Sequence, residues 1–219
     1  MPPSANIISL ATALAERFPA AAPLPVRHWA TGWEEIDALE GGVPHNAVTE
    51  LCSSPACGGF FLHQVITSLR QKGSFAALVD GGRMFDPGSH DAAALPRLLV
   101  TFCNTSEQSV KVTDLLLRDG NLPLVLLDLQ GLSLRNIGRI PASTWHRFQR
   151  LVERSGTALV VMTPQPIVEA ARVRITLRAN WNLAALTCLR SELFRNVRAQ
   201  VYRRGRQVQP MEEVRTRTA

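Results

Sequence analysis

Lysine is nearly missing from this 219-residue chain: of 24 basic residues only Lys72 and Lys111 carry an ammonium, and the rest are Arg. A site that needs a compact, mobile point charge has two possible sources for it. Long apolar runs are missing as well. The longest, 122–127 and 158–162, fall well short of the ~20 residues that cross a bilayer, which excludes a spanning helix. The opening stretch MPPSANIISLATALAERFPAAAPLP lacks the basic start of a secretion signal and reads as an amphipathic helix instead. The four cysteines (52, 57, 103 and 188) lack zinc spacing and read as reduced, partly buried thiols of a cytoplasmic protein. The five histidines are scattered, with no acid or Cys at ligand or triad spacing, so neither a metal centre nor a catalytic dyad is expected. No internal repeat is visible.

Hydrophobic residues make up 46 % of the chain and charged residues 19 %, enough to build one domain with short appendages. Charge is uneven. Residues 1–110 carry six basic against ten acidic side chains, and residues 111–219 carry eighteen against eight. An acidic front half and an Arg-rich back half suit a nucleic acid or an acidic protein partner.

The periodicity divides the chain into 1–25, 26–185 and 186–219. After Ser4 as N-cap, Ile7, Leu10, Leu14 and Phe18 recur at helical spacing, and an Ala/Pro linker follows. A short helix with Trp33, Ile36 and Leu39 on one face ends at Gly41-Gly42, and a turn through Pro44-His45-Asn46 leads to a first strand, 47–52. Helices are then expected over 60–71, 106–118 and 143–153, alternating with apolar strands over 75–80, 98–102, 122–128 and 157–162. Continuous apolar strands alternating with helices mean an α/β fold with a mostly parallel sheet covered on both faces, in three layers. Beyond Pro166 the pattern changes to a half-exposed strand over 172–177, a possible helix over 184–194 and a last edge strand over 197–202.

Between the first strand and the next helix lies Ser53-Ser54-Pro55-Ala56-Cys57-Gly58-Gly59-Phe60. This is the strand–loop–helix context of a phosphate-binding loop, whose working form is G-x-x-x-x-G-K-[ST]. Ser53 stands for the first Gly, Gly58 for the second, Gly59 for the Lys and Phe60 for the Ser/Thr. Such a loop works through backbone N–H groups aimed at phosphate oxygens, a Lys on the β/γ-phosphates and a hydroxyl on Mg²⁺. Pro55 removes a donor, Gly59 holds no cation, and Phe60 sets a ring where the metal ligand belongs. Lys72 lies twelve residues beyond Phe60, about 18 Å along a helix. Lys111 belongs to another helix, and nothing places Arg83 at the loop. Asp128 ends an apolar strand, as a strand-end acid capping backbone N–H groups or as a residual metal contact. Gly58-Gly59 allows a sharp turn, with Phe60 and Phe61 free to fill the emptied pocket. No ATP turnover and no cofactor are expected.

The order of these signals resembles the RecA-like superfamily. Thr31-Gly32, an acidic-apolar helix and Gly41-Gly42-Val43-Pro44 are similar to that family's T-G…L-D…G-G-[IL]-P element. Phe75–Asp80 with Asp86-Pro87, Ser106-Glu107-Gln108 and Leu126-Leu127-Asp128 resemble its second core strand, next helix and Walker B strand. The position after Asp80, where the family keeps a catalytic Glu, reads Gly81-Gly82. Within the superfamily, a short chain with an unusable loop and an Arg-rich end looks like the ImuA-type accessory proteins. That resemblance implies a non-catalytic adaptor in the bacterial DNA damage (SOS) response. Its partner would be an ImuB-like relative of the Y-family polymerases in error-prone translesion synthesis, with RecA-type or polymerase subunits as further partners. A SulA-like inhibitor of cell division, or a degenerate nucleotide-binding RecA paralogue, stays open.

Arg190, Arg195, Arg198, Arg203, Arg204 and Arg206, with Trp181 and Tyr202 nearby, form the candidate contact surface. It suits a protein partner first, then edge-strand protection, then DNA, through phosphate pairing and stacking. Leu10, Leu14 and Phe18 offer a second surface, against a neighbouring subunit or against the chain's own sheet.

Overall fold

The computed structural model describes residues 27–182, 185 and 187–203, with the backbone of 206–207. The expected N-terminal helix with Leu10, Leu14 and Phe18, the linker, Arg204 and the side chain of Arg206 lie outside the described residues.

A two-stranded ribbon, β1 (His28–Trp29) with β2 (Val43–Pro44), frames α1 (Glu34–Glu40) at the entrance to the core. The T-G…D spacing has a local cause. The Asp37 carboxylate accepts from Thr31 N–H (2.7 Å), Thr31 Oγ1 (2.8 Å) and Gly32 N–H (2.9 Å). One helical acid therefore satisfies the turn before its own helix, and Gly41 closes that helix in the left-handed region at φ 75°.

The main sheet runs in the order β10-β9-β8-β3-β7-β6-β4-β5. Its members are β3 (Val48–Cys52), β4 (Ala76–Asp80), β5 (Leu98–Phe102), β6 (Leu124–Asp128), β7 (Ala158–Thr163), β8 (Val173–Arg178), β9 (Arg198–Arg203) and β10 (Arg206–Gln207). Strands β8-β3-β7-β6-β4-β5 are parallel, and β9 and β10 add antiparallel. The helices are α2 (Pro55–Lys72), α3 (Ser106–Asp119), α4 (Leu134–Ile137), α5 (Ala142–Ser155) and α6 (Arg190–Arg195).

Alternation along the strands divides the core into two layers. Leu51, Leu78, Leu126 and Val160 face α2 and α1, joined by Phe61, Val65 and Leu69. Val48, Val79, Leu127 and Val161 face α3 and α5, against Leu117, Trp145, Phe148 and Val152. Both faces are covered, which is why every residue of β3, β4 and β7 is buried. The α/β architecture with a mostly parallel sheet in three layers, expected from the sequence, is the one observed.

Three boundaries differ from expectation. Helix α2 starts at Pro55, not Phe60, because Ser54 caps it and Pro fits the first helical position. The helix expected over 184–194 is described only as α6. Among the described residues, strand β9 is covered on its outer side only at Tyr202 and Arg203, where the two-residue β10 pairs with it.

Candidate functional site

The parallel strands β3, β4, β6 and β7 end together, and the residues in the position of a phosphate loop sit at that end. They form no loop. Residues 55–59 are the first turns of α2. Pro55 has no N–H, Cys57 N–H donates to the Ser54 hydroxyl (3.4 Å), and Gly58 N–H donates to the Ser54 carbonyl (2.9 Å). Donors that would cradle a phosphate are engaged inside the chain.

Gln130, which the sequence reading missed, occupies the space above them. Its backbone N–H donates to Asp128 Oδ1 (2.8 Å), so the strand-end acid does cap a neighbouring N–H. Its side-chain Nε2–H group reaches Ser53 O and Ser53 Oγ, both at 2.8 Å. Gln130 is 7 % exposed, and its amide crosses Gly58, where any Cβ would run into Oε1. Phe60 and Phe61 do not fill this space. Phe60 turns away, toward Trp181 (ring centroids 5.7 Å) and Phe194 (5.9 Å), and Phe61 is wholly buried on the α2 side of the sheet. The pocket is closed by an amide rather than by aromatic rings. No pattern pointed to Gln130, because its partner lies 77 positions away.

The rest of the strand-end machinery is equally committed. Asp80, 1 % exposed, accepts from Phe85 N–H (2.7 Å) and Gly82 N–H (3.1 Å). At Gly82 a Cβ would meet the Gly131 backbone, so the place of the missing Glu has no room for a side chain. Asp80 and Asp128 sit side by side in register. Burial first, and Asp80 second, push the Asp128 carboxyl up to about 6 against the Gln130 N–H that holds it down. Among the described residues no group of three or more His, Cys, Asp or Glu is placed to hold a metal. Cys52 and Cys57 are buried free thiols, and burial, then Glu50, pushes Cys52 up to about 11.

Both lysines are used elsewhere. Lys72 donates to Ala30 O and lies over the Trp29 ring at 5.0 Å, and Lys111 pairs with Glu107 at 2.8 Å. Arg83 stands over Phe102 (5.4 Å) and reaches Asn104. The cation that does approach is Arg190. It borders a cavity of about 330 Å³ between Gly59, His90 and Asp128, and its Nη1 donates to Ser89 O at 2.9 Å.

Among the described residues, Arg190, Arg195, Arg198 and Arg203 do not form one patch. Arg190 and Arg195 lie on α6, Arg198 reaches Glu35 of α1 at 3.4 Å, and Arg203 sits at the other end of β9. Five residues of strand set Arg198 and Arg203 about 17 Å apart. Trp181 packs on Phe60 with its ring tilted 56°, and Tyr202 donates its hydroxyl to Gln200 Oε1 (3.1 Å).

A second buried group, Glu50, also escaped the sequence reading. Glu50, in the middle of β3 and fully buried, accepts from Thr163 Oγ1 (3.1 Å), Ile167 N–H (2.6 Å), Val168 N–H (2.9 Å) and Arg174 Nε (2.7 Å).

Among the described residues no helix is long and apolar enough to cross a membrane. No family model matches the chain. Over 91 residues it is 33 % identical to Protein RecA of Thioalkalivibrio sulfidiphilus, a stretch that covers 40 % of this chain and 26 % of that protein. The chain thus spans about a quarter of the length of that relative. The fold and this partial likeness together support a distant RecA-like relationship.

Proposed function

We propose that the chain is a RecA-like adaptor that acts by contact, without ATP turnover, in error-prone translesion DNA synthesis. The observation that carries the first half is the start of α2 at Pro55 with Gln130 laid across Gly58. A triphosphate would need that space, free N–H donors, a cation and a hydroxyl, and each forgone charge-assisted bond is worth roughly 1.5–3 kcal/mol. The second half rests on the ImuA-type resemblance: a short chain, a phosphate loop without its Lys and Ser/Thr, and an Arg-rich end. Its partner on this reading is a Y-family polymerase relative, with RecA-type or polymerase subunits joining, and DNA is reached through the partner.

Two measurements test the proposal. Calorimetry with Mg-ATP is expected to give no binding tighter than about 100 μM, or roughly −5.5 kcal/mol; tighter binding refutes the contact-only role. Co-purification from DNA-damaged bacteria is expected to retain a Y-family polymerase relative. Retention of a tubulin-like division protein instead replaces the translesion role with a SulA-like one.

A further inference from the structure

We propose that the apolar groove between α2 and α6 docks an acidic peptide segment of a protein partner. An aromatic or aliphatic side chain of that segment would rest on Phe60 and Phe194, with a neighbouring carboxylate on Arg195. The groove encloses about 470 Å³, within the range of ligand pockets of ~300–1,000 Å³. It is lined by Phe60, His63, Gln64, Arg190, Phe194 and Arg195, with Ser191 beside them.

Its floor is rigid. Phe60 and Phe194 stand 5.9 Å apart, Phe194 leans on the buried Trp33 (4.7 Å), and Phe60 leans on Trp181. A preset aromatic floor loses little entropy when an anchor docks. Its rim is cationic. Arg190 is fixed by Ser89 O and lies over Phe60 at 5.5 Å. Arg195 is exposed and makes no ion pair among the described residues. Among the described residues no Asp or Glu lines the groove, and Glu192 of the same helix turns back to Leu189 N–H (3.2 Å). An apolar floor edged by guanidinium groups selects an apolar anchor next to an acid.

The ring geometry favours a peptide over a nucleic acid. Stacking a base needs a whole open ring face, whereas an apolar side chain can pack on the ring edges that line the groove. Phe60 has Arg190 over its ring and Trp181 tilted against it, and Phe194 is wedged between Trp33 and Phe60.

The inference rests on the reading that the chain acts by contact, and a separate experiment tests it. Random peptides displayed on phage are selected against the full chain at about 0.15 M salt, and the most enriched one is labelled for anisotropy. Enriched sequences should join an aromatic or aliphatic residue to Asp or Glu. Arg195→Glu should weaken binding at least about tenfold, and a peptide with Lys in place of its acid should regain affinity for that variant. Gln64→Glu, half-buried at the groove wall, should weaken binding without touching the aromatic floor. Selection without acidic bias, or affinity unchanged by Arg195→Glu and Gln64→Glu, overturns the assignment. Displacement of the peptide by a dT oligonucleotide gives the groove to nucleic acid and overturns it too. A rise in affinity in Leu10→Glu/Leu14→Glu makes the chain's own N-terminal segment the occupant, with the same consequence. Failure here with Mg-ATP still unbound leaves the contact-only role standing and removes only this surface.

Discussion

Gly58 and Gln130 share one small volume, and the sign of a mutation at the first depends on the second. Alanine in a helix interior is ordinarily better than glycine by about 0.8–1.0 kcal/mol. Here the added Cβ meets a buried amide that has two hydrogen bonds of its own. Gly58→Ala should therefore destabilise the fold by about 1–3 kcal/mol through overpacking. In a Gln130→Ala background the same change should stabilise it, and urea denaturation of the four proteins reads the reversal. Two titrating groups nearby work against each other. His90 is held down to about 4 by burial first, then His63 and Arg190, against the Asp86 carboxylate; its ordinary value is 6.5. Between those values the unfolded chain binds the extra proton, so this contribution is lost as pH falls from 6.5 toward 4. Asp128 has the opposite sign. Raised from 3.8 to about 6, it holds a proton in the folded state that the unfolded chain lacks, so stability grows as pH falls through that window. The two offset each other between pH 6 and 4. Relative to the parent, His90→Gln should gain melting temperature on acidification and Asp128→Asn should lose it. Parallel melting profiles for all three would show that neither shift is present.

Among the elements, β3 carries the least expected role, because Glu50 in its centre organises the connection from β7 to β8. Thr163, Ile167, Val168 and Arg174 all donate to that one carboxylate. Arg174→Leu should cost about 3 kcal/mol, the low end for breaking a buried pair, because three neutral donors remain. Combining it with Glu50→Gln should cost less than the two single changes summed, with a coupling of about 0.5–3 kcal/mol in denaturant titration. Additivity would mean that the pair is independent. The same strand shows what could be read in advance. Its strand state follows from its place between a turn and the next helix, although Thr49 and Glu50 interrupt its apolar pattern, and α3 and α5 follow from helical spacing and their Gly caps. The start of α2 was legible in Ser54-Pro55 but was hidden by Gly58-Gly59, which read as loop residues. Glu50 and Gln130 were not legible. Their partners lie 77 to 124 positions away, and local pattern carries no information about pairs brought together by the sheet. The Arg-rich end was legible as composition only, since a six-residue strand separates side chains that sequence proximity had grouped.

For the whole molecule, the two sides of the sheet offer partners different chemistry. Strand β5 ends one side, with Leu99 (52 % exposed) and Phe102 (44 %) open to solvent and Phe75 close by in sequence to β4. Strands β9 and β10 end the other side, where Arg198, Arg203 and Arg206 lie along the backbone. Charged edges resist pairing with another strand, whereas apolar ones invite it. A partner held by charge would therefore meet the β9–β10 side, and one held by strand addition would meet β5. If the proposed adaptor captures its partner by charge, that partner meets the Arg side. Charge reversal of Arg203, Arg204 and Arg206 together should weaken capture of the polymerase relative. The loss should shrink as salt rises, because exposed charges more than ~10 Å apart are screened at 0.1 M. Arg198→Glu should do less to capture, since Arg198 already faces Glu35, although it sets like charges between α1 and β9. Leu99→Lys should leave capture unchanged. If capture is instead lost in Leu99→Lys and retained in the triple Arg variant, the partner binds the β5 edge, and the Arg-rich end serves to keep β9 and β10 from unwanted pairing.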